Sequence, residues 1–135
     1  MQPKTPIIAL VDDDKVFQLT TLRTIQAANL TDRILQFENG EEALSFLRLH
    51  ATESDNLPDY IFLDINMPFV DGWMFLDDFA TLKMGLKKDI SIYMVSSSID
   101  PRDVNRAKGN KNVSEYIIKP VSREKLIQLL KRAAA

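Results

Sequence analysis

The chain contains no cysteine, which excludes disulfides and every metal site built on thiolates. Histidine occurs once, as His50, so a His-rich zinc site is excluded too. No run approaches the roughly 18 consecutive apolar residues of a membrane span. The opening MQPKTP has no apolar signal core behind its lysine. Neither sign of charge dominates, with 17 basic residues against 19 acidic ones and a net charge of −2. A basic excess that would point to nucleic acid is therefore lacking, as is an acidic block that would suggest a disordered tail. There is no internal repeat, and the single low-complexity tract is the alanine run at 133–135. These absences lead to an expected cytoplasmic protein that meets neither membrane nor nucleic acid.

What remains is ordinary globular composition, 45% apolar and 27% charged, which supports a packed core. A chain of 135 residues suits one domain, here expected over 1–135 with a core from about 6 to 132. At this size folding buries roughly 68% of the unfolded chain's surface, enough for a self-sufficient interior.

Along the chain, short β-branched apolar runs alternate with helical periodicity. Residues 7–11 form an apolar run suited to a buried strand. Three aspartates follow, and a helix is expected over 15–28, since an aspartate accepts the free N–H groups of a helix start. Residues 33–37 are a more polar strand, hence nearer a sheet edge, closed by Asn39 and Gly40. The segment 41–49 places Ala43, Leu44 and Leu47 on one helical face. After a loop over 51–58 comes a third strand, 60–63. Asp71 and Gly72 open a helix with a Phe75, Phe79 and Leu82 stripe, and 90–95 is a fourth strand. Asp100-Pro101 is a strong helix start, and this short helix ends near Gly109. A fifth strand, 113–118, precedes a last helix capped by Ser122 and carrying Leu126, Ile127, Leu129 and Leu130. Five strand–helix units of this kind predict a doubly wound α/β domain with a parallel sheet. Sites in such sheets lie beyond the carboxyl ends of the strands, where the strand order reverses.

Polar residues stand at those ends. Strand one ends at Asp12 and Asp13, strand three at Asp64, strand four at Ser96 and strand five at Lys119. Each alone has a commoner explanation: a helix cap, a turn residue or a loop. Their joint occurrence at one expected rim is the signal. Carboxylates at ~4 Å repel by about 4 kcal/mol per pair at an effective dielectric of 20, so a compensating charge is needed. A hard cation with oxygen ligands supplies it, and Mg²⁺ suits a few carboxylates while keeping some waters. Carboxylates, Mg²⁺, a lysine and a hydroxyl are together the parts of phosphoryl transfer, in which a carboxylate can itself be the nucleophile.

At these residues the sequence resembles the CheY-like receiver domains of two-component response regulators. The matching stretches are IALVDDD, NGEEAL, IFLDINMPFVDG, YMVSSS and EYIIKP, in the family's order and across nearly the whole chain. The resemblance implies a flavodoxin-like five-stranded sheet of order 2-1-3-4-5. It implies Asp64 as phosphoacceptor, served by a sensor histidine kinase or a His-containing phosphotransfer protein. Mg²⁺ would be held by Asp13 and Asp64, by the Asn66 backbone carbonyl, and by Asp12 largely through water. Lys119 would pair with a phosphoryl oxygen, Ser96 and Tyr116 would be the switch pair, and Lys119-Pro120 would be a cis peptide. Asn66, Ser97 and Ser98 stand where receivers tune the lifetime of the phosphoryl group. Little sequence follows Lys119-Pro120, so the expectation is a single-domain regulator that signals through its own surface or relays the group onward. Val104, Arg106, Lys108, Tyr116 and Lys125 are its candidate output contacts.

The family's register assigns Phe17, Thr20, Thr21 and Thr24 to the core face of the first helix, with Leu19 and Leu22 outward. Either the helix is rotated slightly, or Leu19 and Leu22 belong to a docking surface for the kinase. Two other functions fit the strand-end residues. One is a small Mg²⁺-dependent phosphatase or phosphotransferase of the haloacid dehalogenase type, although that family has an acid where Asn66 stands. The other is a binding scaffold that is never phosphorylated.

Overall fold

The computed structural model describes residues 5–134, with side chains described through residue 130. Five strands, β1 (Ile7–Val11), β2 (Arg33–Phe37), β3 (Tyr60–Leu63), β4 (Ser91–Ser96) and β5 (Val113–Ile118), form one sheet of order β2-β1-β3-β4-β5. All four pairings are parallel. The connecting helices are α1 (Lys15–Ala27), α2 (Gly40–Leu49), α3 (Gly72–Leu82), α4 (Pro101–Lys108) and α5 (Arg123–Ala134), with a 3₁₀ turn at Lys83–Gly85. This is the doubly wound topology expected from the alternating pattern. Among the described residues no helix is long and apolar enough to cross a membrane.

Burial follows position in the sheet. β1 and β3 are buried at every residue, whereas the edge strand β2 is only half-buried. Successive side chains of a strand point to opposite faces, and the core divides accordingly. Ile8, Leu10, Tyr60 and Phe62 face Phe17, Ile25, Leu126, Leu129 and Leu130 of α1 and α5. Ala9, Val11, Ile61 and Leu63 face Ala43, Leu44, Leu47, Phe75, Leu76 and Phe79 of α2 and α3. The helix α4 contributes least, with Ala107 as its one buried residue.

The helix starts are set by local chemistry. Asp14 accepts from the N–H groups of Val16 and Phe17, Asn39 from that of Glu42, and Asp71 from that of Met74. Asp100 accepts from the Arg102 N–H with Pro101 behind it, and Ser122 Oγ accepts from the Lys125 N–H. Each satisfies a donor that the first helical turn leaves free.

The first helix departs from the family's register by the small rotation that was one of its two expected readings. Its buried face is Phe17, Gln18, Thr21 and Ile25, not Phe17, Thr20, Thr21 and Thr24. Thr20 is exposed and Thr24 half-buried, its hydroxyl donating to the Thr20 carbonyl at 2.8 Å. Leu22 is half-buried and Leu19 is 46% exposed. The helix is rotated so that Ile25, the larger apolar side chain, fills the interior in place of threonine.

Gly72 sits where the chain after β3 folds back on itself, its N–H donating to the Ile65 carbonyl at 2.7 Å. A Cβ there would lie 2.5 Å from the Asp64 carbonyl oxygen and 2.9 Å from Ile65 Cα. Both obstacles are backbone and cannot swing aside. We predict that Gly72→Ala lowers stability by about 1–3 kcal/mol in urea unfolding, the range of overpacking. Gly85→Ala, with nothing within 4 Å of the added methyl, should leave the unfolding curve near wild type.

Candidate functional site: an acidic pocket at the carboxyl edge of the sheet

The parallel register brings the ends of β1 and β3 side by side, with the Asp64 N–H donating to the Val11 carbonyl at 3.0 Å. Asp12, Asp13 and Asp64 thereby converge, each offering a carboxylate oxygen within 4.8 Å of the others. Asp12 and Asp64 are buried, at 2% and 6% exposure, while Asp13 is open to solvent. Lys119 arrives from the end of β5, where its N–H donates to the Ser96 carbonyl at 2.9 Å. Its Nζ lies 2.8 Å from Asp12 Oδ2 and 3.7 Å from Asp64 Oδ1. The same ammonium stands 4.6 Å from the centre of the Phe17 ring, an orientation that favours the cation.

One lysine does not neutralise three acids. Asp12 Oδ1 accepts from the Asp14 N–H at 2.8 Å, but Oδ2 is buried with no hydrogen-bond partner among the described residues. Its compensation is the ion-pair contact with Lys119 alone. Burial raises the Asp12 carboxyl above the usual carboxylate range, against the pull of Lys119. Burial also raises Asp64, to about 6, with the neighbouring Asp12 charge adding to the rise and Lys119 opposing it. A buried carboxylate oxygen met only by the Lys119 ion pair, beside two further carboxylates, is a donor set that fits a hard divalent cation.

Ser96 is 1% exposed, and its Oγ accepts from the Ser98 N–H at 3.0 Å. Half-buried Tyr116 donates its hydroxyl to the Ser98 carbonyl at 2.8 Å. The Ser98 hydroxyl in turn donates to Asp103 Oδ2 at 2.6 Å and accepts from the Asp100 N–H at 3.2 Å. Ser96, Tyr116 and the start of α4 are therefore tied together through a single loop residue. Asn66 is exposed in the loop after β3. That loop carries Phe69 in left-handed backbone, φ 67°, with its ring 88% exposed. Lys119-Pro120 is cis.

The strand-end residues were legible from the pattern, but two neighbours were not. Gln18 is buried against the β1 end, a place sequence gives no reason to assign to an isolated glutamine on a helix. Ser98, expected among the positions that tune the phosphoryl lifetime, has its hydroxyl committed to α4, a contact that no local pattern announces.

Carboxylates gathered around one lysine at a switch point of a doubly wound sheet suit a domain that handles cations and phosphoryl groups. Comparison with known proteins narrows this. The family model described as "Response regulator receiver domain" matches residues 8–131. The chain belongs to that family, the phosphoryl-accepting response regulators of two-component signalling. It is similar to the probable methanogenesis regulatory protein FilR2 of Methanothrix harundinacea, 32% identical over 89% of this chain and 76% of that protein. It is 26% identical to the chemotaxis protein CheY of Listeria monocytogenes, over 93% of this chain and 96% of that one. A two-component response regulator from Cytophaga hutchinsonii superposes with TM-score 0.83 at 28% identity, covering 98% of both chains. Other relatives are far longer, the chain spanning 15% of one and 19% of another.

The raised Asp64 carboxyl has a measurable consequence in the metal-free protein. Its folded value near 6 stands above the ordinary 3.8, so the fold disfavours its ionisation. That penalty is present above the folded value and vanishes below the ordinary one, where both states hold the proton. Asp64→Asn should therefore melt several degrees above wild type at about pH 8, with the gain lost on acidification below about pH 4. Calorimetry in the presence of a chelator checks this; an equal difference at both pH values contradicts it.

Proposed function

We propose that Asp64 is the residue that accepts the phosphoryl group, and that Mg²⁺ is the cation of the pocket. What carries this reading is the meeting of the Asp12, Asp13 and Asp64 carboxylates within 4.8 Å, two of them buried and with the single ammonium of Lys119 to offset them. Asp12, Asp13, Asp64 and the Asn66 carbonyl would hold the ion. When bound, it supplies positive charge that offsets the negative charge developing on the phosphoryl oxygens.

The chain's own residues do the rest. An Asp64 oxygen attacks the phosphorus of a phosphohistidine on a sensor kinase or phosphotransfer protein. The O–P bond forms as the N–P bond breaks, and the imidazole keeps the electron pair. Lys119 Nζ, 3.7 Å from Asp64 Oδ1, pairs with one of the three phosphoryl oxygens. The Ser96 hydroxyl donates to another. Drawing Ser96 toward the new charge strains its bond with the Ser98 N–H, and Ser98 also holds Tyr116 and Asp103. The switch is then a population shift carried from the pocket to α4 and β5. Val104, Arg106, Lys108, Tyr116 and Lys125 form the output face. Arg106 lies over Trp73 at 4.3 Å and Lys125 pairs with Glu115, so these contacts are what a partner must rearrange.

Incubation with Mg²⁺ and acetyl phosphate should add one labile phosphoryl group, found by mass spectrometry at Asp64. It should be absent in Asp64→Asn and in the presence of a chelator. Rapid turnover of the donor without a labelled protein would instead indicate a phosphatase. Leu19 and Leu22 line a cavity with Asp12, Lys15 and Gln36, which makes them candidates for contact with the phosphodonor. Changing both to serine should slow transfer from a phosphorylated partner and leave the acetyl phosphate reaction unchanged. Equal loss with both donors refutes that docking role.

A further inference from the structure

Gln18 is polar, 8% exposed and one turn inside α1. Its Nε2 lies 3.1 Å from the Leu10 carbonyl oxygen, 3.0 Å from that of Asp12 and 3.0 Å from that of Phe37. Three carbonyls can only accept, so the amide nitrogen must be the end that faces them. Gln36 Nε2 donates to Gln18 Oε1 at 3.1 Å and holds the carboxamide in that orientation. The Phe37 carbonyl also accepts from the Asp12 N–H at 3.1 Å. The peptide groups flanking Asp12 are thus gripped on both sides, at the point where the β1–β2 ladder ends. Beyond them the chain is fixed again by Asp14, which caps α1. Asp13 lies between these two anchors.

We propose that Gln18 is a positioning residue for the cation pocket. Its carboxamide fixes the backbone from which Asp12 and Asp13 project, and so sets the spacing of their carboxylates from Asp64. The inference rests on the reading of that pocket as a Mg²⁺ site. Without the amide, the Leu10 and Asp12 carbonyls lose its two N–H donors, the Phe37 carbonyl keeps only the Asp12 N–H, and the acidic turn is free to relax away from Asp64 under like-charge repulsion. Groups that orient ligands without touching the ion commonly govern affinity in this way.

The test titrates Mg²⁺ alone into purified protein by isothermal calorimetry, well below the melting temperature. Gln18→Met keeps the bulk and removes the donor, and its Kd should rise about tenfold. Leu129→Val, a core change in α5, serves as a control with lowered stability and wild-type affinity. Gln36→Met, at an exposed position, frees the Gln18 carboxamide without opening the core and should weaken binding by a smaller factor. Wild-type affinity in both glutamine variants overturns the inference. If Gln18→Met does not fold, unchanged affinity in Gln36→Met overturns it alone. A wild-type protein that fails to bind Mg²⁺ overturns the pocket reading itself, which separates the two failures.

Discussion

The acidic pocket is built against electrostatics. Two of its three carboxylates are removed from water, where their mutual repulsion is least screened, and one ammonium opposes them. Lys119 cannot satisfy Asp12 and Asp64 together, being 2.8 Å from one and 3.7 Å from the other. The imbalance is left in the folded molecule and is borne by the hydrophobic layers on either face of the sheet. A pocket of this kind stores a preference for added positive charge. Its acids already stand together, with a carboxylate oxygen of each within 4.8 Å of the others.

The sheet makes this possible because it is parallel. Parallel pairing sends every strand's carboxyl end to the same side, so residues far apart in sequence meet there. The central strands β1 and β3, covered on both faces, carry the buried acids. The half-buried strand β5 delivers the lysine, whose ammonium lies over the Phe17 ring. Gly72 then lets the chain after Asp64 turn back tightly against the Asp64 and Ile65 backbone.

Much of this was legible in the sequence, and for definite reasons. Strands such as 60–63 announced themselves because burial on both faces demands continuous apolar residues. Asp14, Asp71, Asp100 and Ser122 marked helix starts because capping is local chemistry. The acids and Lys119 stood out because each interrupts an apolar run at its end. Long-range hydrogen bonding was less visible. The role of Gln18 depends on three carbonyls, two from β1 and its end and one from β2, and no spacing rule connects them. The Ser98 contacts depend on the path of the loop after β4. The rotation of α1 was one of two readings its threonines left open, and packing of Ile25 into the interior decides it.

The slightness of α4 bears on how such a molecule converts chemistry into shape. Eight residues long and mostly polar, it has only the Ala107 side chain fully sheltered. Displacing it forfeits little apolar contact, whereas moving α1, α3 or α5 would open the interior. Its remaining ties, the Ser98–Asp103 bond and the Arg106 guanidinium over Trp73, are polar or at the surface and can be remade in a new place. The sturdier helices act as a chassis, and the lightest one is free to serve as the moving part.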